Sequence, residues 1–427
     1  MKKIITFLGT GAYKETTYSY ADKSTGEEIS VTTRFIQEAV HKIVGGNSVL
    51  YVALTNGAKE TNWLDKGENK GLRTVLESKE IPYREVLLAD GKNEEQMWSN
   101  FEAIFDILEE GDQVYIDVTH SFRSIPIIIM SVINYAKFIK NITINAIYYG
   151  AFDATVDGIT PIFDLSLFNI ITDWTIGAEK FINAGDSESI TKIMEKTVGS
   201  ILRDTKGASE EAQICKTINK NLKAFSDALY TVRGDEISKV GGQLKGSLEL
   251  IKKIEENHVL KPFEKILEKI YEKVHFYTNF GSSENFQYKV NIVRDIHDTV
   301  KLCRDLNLIQ QAYTLLLENI INYLCIVGDL DLLNREIRET VSKVILYYHP
   351  MKDIILDDKC KEIHEKIKNY LNEDIAILYN DLGDYRNDFN HAGLREHSRK
   401  AKTFKENLNE YIDKFEKTVV IEIVGQQ

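Results

Sequence analysis

Five short apolar runs alternate with helical patterns over the first 165 residues, and this alternation constrains the fold more than any other feature. The runs lie at Ile4–Leu8, Val49–Leu54, Tyr83–Leu88, Gln113–Val118 and Ile142–Tyr149. The helical patterns lie between them, near Arg34–Val44, Gly67–Ser78, Glu94–Leu108 and Phe122–Ile139. Strands that are buried on both faces appear as continuous apolar runs, and strands that alternate with helices usually pair in parallel. The sequence therefore predicts an α/β domain with a doubly wound parallel sheet.

A further pair of strands is predicted before the first helix. Tyr18–Asp22 and Ile29–Thr32 are rich in β-forming residues and flank the turn-forming segment Lys23-Ser24-Thr25-Gly26. Two such runs separated by a short polar segment are typical of a β-hairpin. We expect this hairpin to be inserted into the α/β domain.

The remainder of the chain is predicted to be helical, which gives an α/β domain at 1–165, a helical linker domain at 166–300 and a helical domain at 301–427. Breaks between helices are predicted at Gly185-Asp186, Gly207, Gly241-Gly242 and Gly281-Ser282-Ser283. Later helices are predicted at Asp305–Ile326, Asp357–Leu382 and Ser398–Lys417, with a terminal strand at Val419–Val424.

Composition excludes several classes of protein. The net charge of −12 argues against wrapping duplex DNA, which requires a broad basic surface. The longest apolar run, Ile125–Ile133, is far shorter than the ~18 residues that span a bilayer, so no membrane association is expected. The N-terminus does not resemble a complete signal peptide, and we expect a cytoplasmic protein. The four cysteines are scattered, so reduced thiols and no metal site are expected.

Polar and small residues follow the predicted strands, at the edge where open parallel sheets bind their ligands. Small residues let a ligand approach the backbone, and hydroxyl, amide and guanidinium groups can hold phosphates or base edges. The predicted ligand-binding residues are Gly9, Thr10, Gly11, Thr55, Asn56, Asp117, Thr119, His120, Ser121, Phe122 and Arg123. The alternative is that these residues only cap helices and form turns, as any such fold requires.

The predicted ligand is a nucleotide or oligonucleotide that is bound without hydride or phosphoryl transfer. The dinucleotide-binding pattern fails because Lys14 stands where its third glycine would be, and a hairpin follows instead of a helix. Thr55-Asn56 offers no carboxylate to a ribose hydroxyl, and no G-x-x-x-x-G-K-[ST] string occurs.

Near the C-terminus, Arg386, Asn387 and His391 form a polar group that suits cleavage of RNA without a metal ion. The 2′-hydroxyl of RNA can attack the adjacent phosphate if a protein moves protons and stabilises charge. Histidine titrates near neutrality, arginine pairs with phosphate oxygens, and an amide can orient either group. On a continuous helix Arg386 and His391 would diverge by about 140°. They converge only if the helix ends between them, or if two copies face each other in a dimer.

Taken together, these motifs resemble those of the CARF–HEPN ribonucleases of type III CRISPR systems. Arg386, Asn387 and His391 match the HEPN motif, and the helix around Gln310–Tyr323, which includes Glu318, is similar to the first HEPN helix. Gly9-Thr10-Gly11 is similar to the turn after the first CARF strand. Asp117–Arg123 resembles a second CARF stretch, with Ser121 in place of glycine. The resemblance implies a Rossmann-like CARF domain followed by an all-α region that ends in a HEPN domain.

The resemblance also implies a function, namely a homodimeric endoribonuclease of antiviral defence. Its activator would be cyclic tetra-adenylate, with cyclic hexa-adenylate as the second candidate, and its substrate single-stranded RNA. No cofactor is implied. Two alternatives stay open: a nucleotide-responsive regulatory dimer that binds RNA without cutting it, and a phosphodiesterase that degrades the cyclic activator in the CARF site.

Overall fold

The computed structural model describes residues 1–22, 26–121, 124–251, 260–277, 286–394 and 396–420. It divides into two compact units, Met1–Ile170 and Ile171–Gln427. The first unit is an α/β domain, and the second is built from helices.

The first unit is organised around an eight-stranded sheet in the order β3-β2-β8-β7-β6-β1-β4-β5. The strands are β1 Lys2–Leu8, β2 Thr16–Ala21, β3 Glu28–Thr33, β4 Ser48–Leu54, β5 Tyr83–Leu87, β6 Gln113–Asp117, β7 Thr143–Gly150 and β8 Ile159–Asp164. The strands β7, β6, β1, β4 and β5 pair in parallel, which confirms the predicted sheet, and β2 pairs antiparallel with β3, which confirms the hairpin. Part of the predicted hairpin turn, Lys23–Thr25, lies outside the described residues.

The sequence did not predict β8, which makes the sheet mixed. This strand pairs antiparallel with β7 and parallel with β2, so it joins the hairpin to the rest of the sheet. Its sequence contains Pro161, which usually argues against a strand inside a sheet. Here the carbonyl of Pro161 accepts a hydrogen bond from the backbone of Ala151 (2.9 Å). Proline lacks a donor but keeps its acceptor, so the pairing survives at this position.

Helices cover both faces of the parallel strands. They are α1 Ile36–Val44, α2 Asn56–Ala58, α3 Leu72–Ser78, α4 Glu94–Asp106 and α5 Ile125–Ile139, with a π-helix at Lys59–Trp63 and a 3-10 turn at Phe152–Ala154. Ile4 of β1 belongs to the core that includes α1 and α3, whereas Ile5 belongs to the core that includes α4 and α5. Both isoleucines are fully buried, because β1 is the centre of a sheet with two covered faces.

The second unit is formed by helices of 10 to 21 residues. The first of them, α6, begins at Ser166, just before the start of the unit at Ile171. They are α6 Ser166–Ala184, α7 Glu188–Asp204, α8 Glu210–Tyr230, α9 Gly234–Leu248, α10 Lys261–Val274, α11 Phe286–Asp305, α12 Ile309–Val327, α13 Arg335–Tyr347, α14 Asp358–Ile367, α15 Glu373–Asn390 and α16 Ala401–Phe415. The three-domain division predicted from the sequence stays a prediction.

The predicted helix breaks at Gly185-Asp186 and Gly207 are confirmed, and the predicted break at Gly281–Ser283 lies outside the described residues. The predicted helix Asp357–Leu382 is instead two helices, because Asn372 caps α15 by accepting the amide of Ile375 (2.9 Å). The predicted terminal strand is wrong at its start, since Val419 lies in a π-helix, Glu416–Val420. Val420 lies in the same π-helix, and residues 421–424 lie outside the described residues.

The predicted break at Gly241-Gly242 is also wrong, because both glycines lie inside α9. A Cβ atom on Gly241 would lie only 2.7 Å from ring atoms of Tyr277, whose side chain is fully buried. The hydroxyl of Tyr277 is hydrogen-bonded to that of Thr299 (2.7 Å), and this bond holds the ring in its position. Gly241 therefore serves close packing rather than a turn.

This packing predicts opposite effects for two helical glycines. Gly241→Ala is expected to destabilise the protein by about 1–3 kcal/mol, because the added methyl group overpacks the core. Gly383→Ala, in α15, is expected to stabilise it by roughly 0.5–1 kcal/mol, since among the described residues only the adjoining backbone of its own helix lies within 4 Å of the added carbon. The shift of the denaturation midpoint of each variant measures both effects. Equal shifts of the same sign would contradict the close approach of Gly241 and Tyr277.

Candidate functional site

The loops after β1 and β6 lie at the position where the strand order of the sheet reverses. After the β2–β3 hairpin, the chain places β4 and β5 on one side of β1, and it then returns to place β6 on the other side of β1. Open α/β sheets bind ligands in the crevice at such a reversal. Two of the predicted binding segments, Gly9–Gly11 and Thr119–Ser121, follow these two strands directly.

Two side chains that the sequence did not single out fix the loop after β1. The side-chain amide of Asn62 donates hydrogen bonds to the carbonyl oxygens of Gly9 and Gly11, both at 2.8 Å. The amide of Gly9 donates to the hydroxyl of Tyr13 (2.7 Å). Burial raises the pKa of the Tyr13 phenol well above its ordinary value, so this hydroxyl stays protonated at neutral pH. The loop is thus held in one shape before any ligand binds.

Gly9 is required by a close approach between the two loops. A Cβ atom on Gly9 would lie 3.2 Å from the hydroxyl of Tyr13 and 3.3 Å from the carbonyl oxygen of His120. These contacts bring the turn after β1 and the turn after β6 together. Thr10 and Gly11 are exposed and accessible to a ligand.

Asp117 and Thr119 connect strand ends inside the protein. The fully buried carboxylate of Asp117 accepts a hydrogen bond from the Thr6 hydroxyl (2.6 Å) and another from the Thr119 amide (3.0 Å). The Thr119 hydroxyl accepts from the amide of Gly150 (2.8 Å). These bonds join the ends of β1, β6 and β7, which gives both predicted site residues a structural role.

His120 is the most distinctive side chain of this crevice. Its ring stacks on Tyr13 with the centroids 4.0 Å apart, and its Nε2 is buried without a hydrogen-bond partner among the described residues. Burial lowers the pKa of His120, and the charge of Asp117 opposes that shift in part. The ring is therefore neutral near pH 7. Ser121 is half-buried and donates to the carbonyl of Val118 (2.8 Å).

Of the remaining predicted site residues, two lie in the turn after β4 and two lie outside the described residues. Thr55 caps α2 by accepting the amide of Ala58 (3.3 Å), and Asn56 is exposed beside it. The turn of Thr55 lies near the turn after β1, since a Cβ atom on Gly57 would lie 3.4 Å from Thr10. Phe122 and Arg123 lie outside the described residues.

Loss of the Asn62 side chain is expected to loosen the loop after β1. Asn62→Ala removes two hydrogen bonds worth about 0.5–1.5 kcal/mol each, so the loop amides should open roughly 5- to 150-fold more often. Hydrogen–deuterium exchange of a peptide that covers residues 7–14 measures this. The matched control is Asn56→Ala, which removes an exposed amide. Unchanged exchange in Asn62→Ala would show that other contacts hold the loop.

The C-terminal motif lies where α15 ends. The last helical residue is Asn390, so the helix ends between Arg386 and His391. The amide of His391 still donates to the carbonyl of Asn387 (3.0 Å), whereas Ala392 and Gly393 have φ values of 51° and 71°. This left-handed turn directs the chain away from the helix axis directly after the histidine.

Arg386 is paired with an acidic residue of another helix. Its Nη1 lies 3.4 Å from Oε1 of Glu318, on α12. The side chain of Arg386 is 37% exposed, and its Nε is buried without a partner among the described residues. Asn387 and His391 are exposed, and no hydrogen bond within the described residues joins either side chain to Arg386. The structure therefore places the three residues at one helix end, and no hydrogen bond within the described residues joins their side chains to each other.

Neighbouring residues hold this helix end in place. Asp388, which the sequence analysis did not single out, is buried and accepts the backbone amide of Arg399 (2.8 Å). The Arg399 guanidinium lies 4.1 Å from the centre of the Tyr385 ring, and that ring stacks on Tyr313 of α12 at 4.9 Å. Residues on both sides of His391 are thus attached to the helical core, and the histidine itself remains exposed.

Comparison with known proteins identifies the first unit. Residues 3–153 match the family model described as the CARF domain of the CRISPR system endoribonuclease Csx1. The first unit is a CARF domain. Residues 170–276 match a second model, described as the second domain of the CRISPR-associated protein MJ1674. The MJ1674 protein of Methanocaldococcus jannaschii is 26% identical over 307 residues, which cover 70% of this chain and 43% of that protein.

These matches confirm the predicted CRISPR-associated CARF domain and the predicted order of an α/β unit followed by helices. Both matched regions end before residue 277, so the HEPN assignment of the C-terminal helices stays a prediction. In the part of the chain that the structure describes, no helix is long and apolar enough to cross a membrane. The same residues contain no group of three or more His, Cys, Asp or Glu side chains that could hold a metal ion.

Proposed function

We propose that this CARF protein is an endoribonuclease of type III CRISPR antiviral defence that cuts single-stranded RNA without a metal ion when a cyclic oligoadenylate binds. The observation that supports this most strongly is the exposed helix end that carries Arg386 and His391, in a chain whose first unit matches the CARF domain of a CRISPR endoribonuclease. The activator, the substrate, the dimer and the HEPN assignment all belong to this proposal.

The chemistry follows from the groups at the helix end. The 2′-hydroxyl of the RNA attacks the adjacent phosphorus, its proton leaves, and the 5′-oxygen of the next nucleotide departs with a proton. His391 is exposed, and its imidazole can transfer protons to and from the RNA. Arg386 has donors beyond the one that faces Glu318, and these can hold phosphate oxygens as charge develops. Asn387 orients the phosphate or the histidine.

A homodimer completes the proposed site. Within one chain no described hydrogen bond couples Arg386 to His391, so one copy of the motif is not a connected catalytic group. A two-fold axis that passes near the end of α15 would bring two such ends together and supply two arginines and two histidines to one RNA strand. The products would be a 2′,3′-cyclic phosphate and a 5′-hydroxyl end.

The activator is proposed to bind at the reversal point of the CARF sheet. The turn of Gly9, Thr10 and Gly11 offers backbone approach and a hydroxyl, and the neutral ring of His120 offers an uncharged face. Cyclic tetra-adenylate is the first candidate, and cyclic hexa-adenylate is the second. The ligand activates only to the extent that it binds the active arrangement more tightly than the inactive one.

The proposed chemistry requires a 2′-hydroxyl in the substrate, which provides its test. An RNA strand and its fully 2′-deoxy counterpart are each incubated with the full chain and the cyclic activators. We expect the RNA strand to be cut and the 2′-deoxy strand to stay intact. Mass spectrometry of the RNA products should show 2′,3′-cyclic phosphate ends. Cleavage of the deoxy strand would exclude this mechanism. Binding of RNA without cleavage under every activator would instead favour a regulatory protein.

A further inference from the structure

Glu318 lies between two arginines that come from different helices. Its Oε1 is 3.4 Å from Arg386 on α15, and its Oε2 is 2.7 Å from Arg338 on α13. The second contact is much shorter, so Arg338 is the principal counter-ion of this carboxylate. Arg386, the proposed catalytic arginine, therefore makes the weaker of the two ion pairs with Glu318.

Arg338 is held firmly in this role. Its Nη1 donates to the side-chain oxygen of Asn322 (2.7 Å) and to the carbonyl of Leu332 (3.1 Å), while its Nη2 donates to Glu318. Its side chain is 22% exposed, compared with 37% for both Glu318 and Arg386. Three acceptors on two sides of the guanidinium fix its plane, so the position of Arg338 determines where the Glu318 carboxylate points.

Glu318 has space to adopt a different position. A cavity of about 270 Å³ adjoins it, and Glu318, Asn322 and Arg338 form part of its wall. Ile292 and Ile296 of α11 line another part. A carboxylate beside such a cavity is not fixed by packing, so its hydrogen bonds decide its orientation.

We propose that Arg338 is a positioning residue for Arg386 and that it acts by neutralising Glu318; the inference rests on the proposed function. With Arg338 present, Arg386 makes one long side-chain contact within the described residues and keeps other donors for the RNA phosphate. Without Arg338, the Glu318 carboxylate has Arg386 as its nearest cationic partner. The two side chains then form a close, two-bond pair that withholds the guanidinium from the substrate.

The double substitution separates this role from simple structural support. Arg338→Met should lower kcat about tenfold with little change in KM, because RNA also binds through other contacts. Adding Glu318→Gln removes the charge that captures Arg386, so the Arg338→Met, Glu318→Gln double variant should be at least about fivefold faster than Arg338→Met alone. A purely structural role for Arg338 predicts the reverse, since the second change weakens the remaining contact between position 318 and Arg386 by removing the negative charge.

The experiment measures kcat and KM of each full-length variant on a single-stranded RNA in the presence of the activator. The thermal unfolding midpoint of each variant is measured as well. The matched control is Arg335→Met, on the same helix, whose exposed side chain pairs only with Glu339 among the described contacts. That control should retain the wild-type kcat. A double variant no faster than Arg338→Met, or an unaffected Arg338→Met, overturns this inference alone. A wild-type chain that cuts no RNA overturns the proposed function and this inference with it.

Discussion

Replacing His391 with alanine is expected to lower the rate of RNA cleavage by at least about 100-fold, because a positioned acid or base contributes about 10²–10⁴-fold to such reactions. The residue is exposed, and it contributes its backbone amide rather than its ring to the end of α15, so the fold should persist. Binding of the cyclic activator should be unchanged. Initial rates with a fluorogenic RNA, and calorimetric titration with the activator, measure the two quantities separately.

The control for His391→Ala is a nearby histidine that has no proposed role. His397 is exposed and has φ = 61°, a conformation that asparagine tolerates better than alanine does. His397→Asn should therefore cut RNA at the wild-type rate. If His391→Ala retained full activity while remaining folded, the assignment of the catalytic site to this helix end would be wrong.

Arg386→Ala is expected to reduce kcat by about 100- to 1,000-fold, comparable to the loss of one donor that stabilises developing charge. The substitution also leaves Glu318 with Arg338 as its remaining partner, so the carboxylate stays neutralised and the helices stay packed. Arg386→Lys should recover only part of the rate, because an ammonium group keeps the charge but cannot bond two phosphate oxygens as a planar fork does. Single-turnover rates at saturating RNA measure the effect on the chemical step.

Two outcomes of the Arg386 series would contradict this role. Full activity of Arg386→Ala would exclude a direct part in catalysis. Equal activity of Arg386→Lys and the wild type would show that charge alone matters and that the fork does not. Arg335→Ala serves as the control, since that arginine is 91% exposed and pairs along its own helix with Glu339.

The sequence predicted the parallel strands because their chemistry is local. β1 and β4 are continuous apolar segments, and burial on both faces demands that pattern. β8 was missed because Pro161 usually interrupts strands. The error at Gly241 has a similar origin. Glycine often indicates a turn, whereas here a glycine is required because the ring of Tyr277 packs against the helix at this position.

The candidate sites were predictable only in part, since many of their contacts join distant segments. Gly9–Gly11 could be found from its position after a strand. Asn62, which holds that loop, is 53 residues from Gly9, and no motif links the two. Glu318 is 68 residues from Arg386, and only the packing of α12 against α15 brings them together. The sequence thus indicates the groups that can carry chemistry, and the structure shows which side chains hold them.

The central claim is that a cyclic oligoadenylate switches on a metal-free RNA cleavage. The most direct test is a fluorogenic single-stranded RNA assay in EDTA, with no ligand and with cyclic adenylates of three, four and six units, next to a binding titration of each ring. We expect cleavage with one ring size, with cyclic tetra-adenylate as the first candidate, and little or none without ligand. Binding of a ring without any cleavage, or cleavage that stops in EDTA, would contradict the claim.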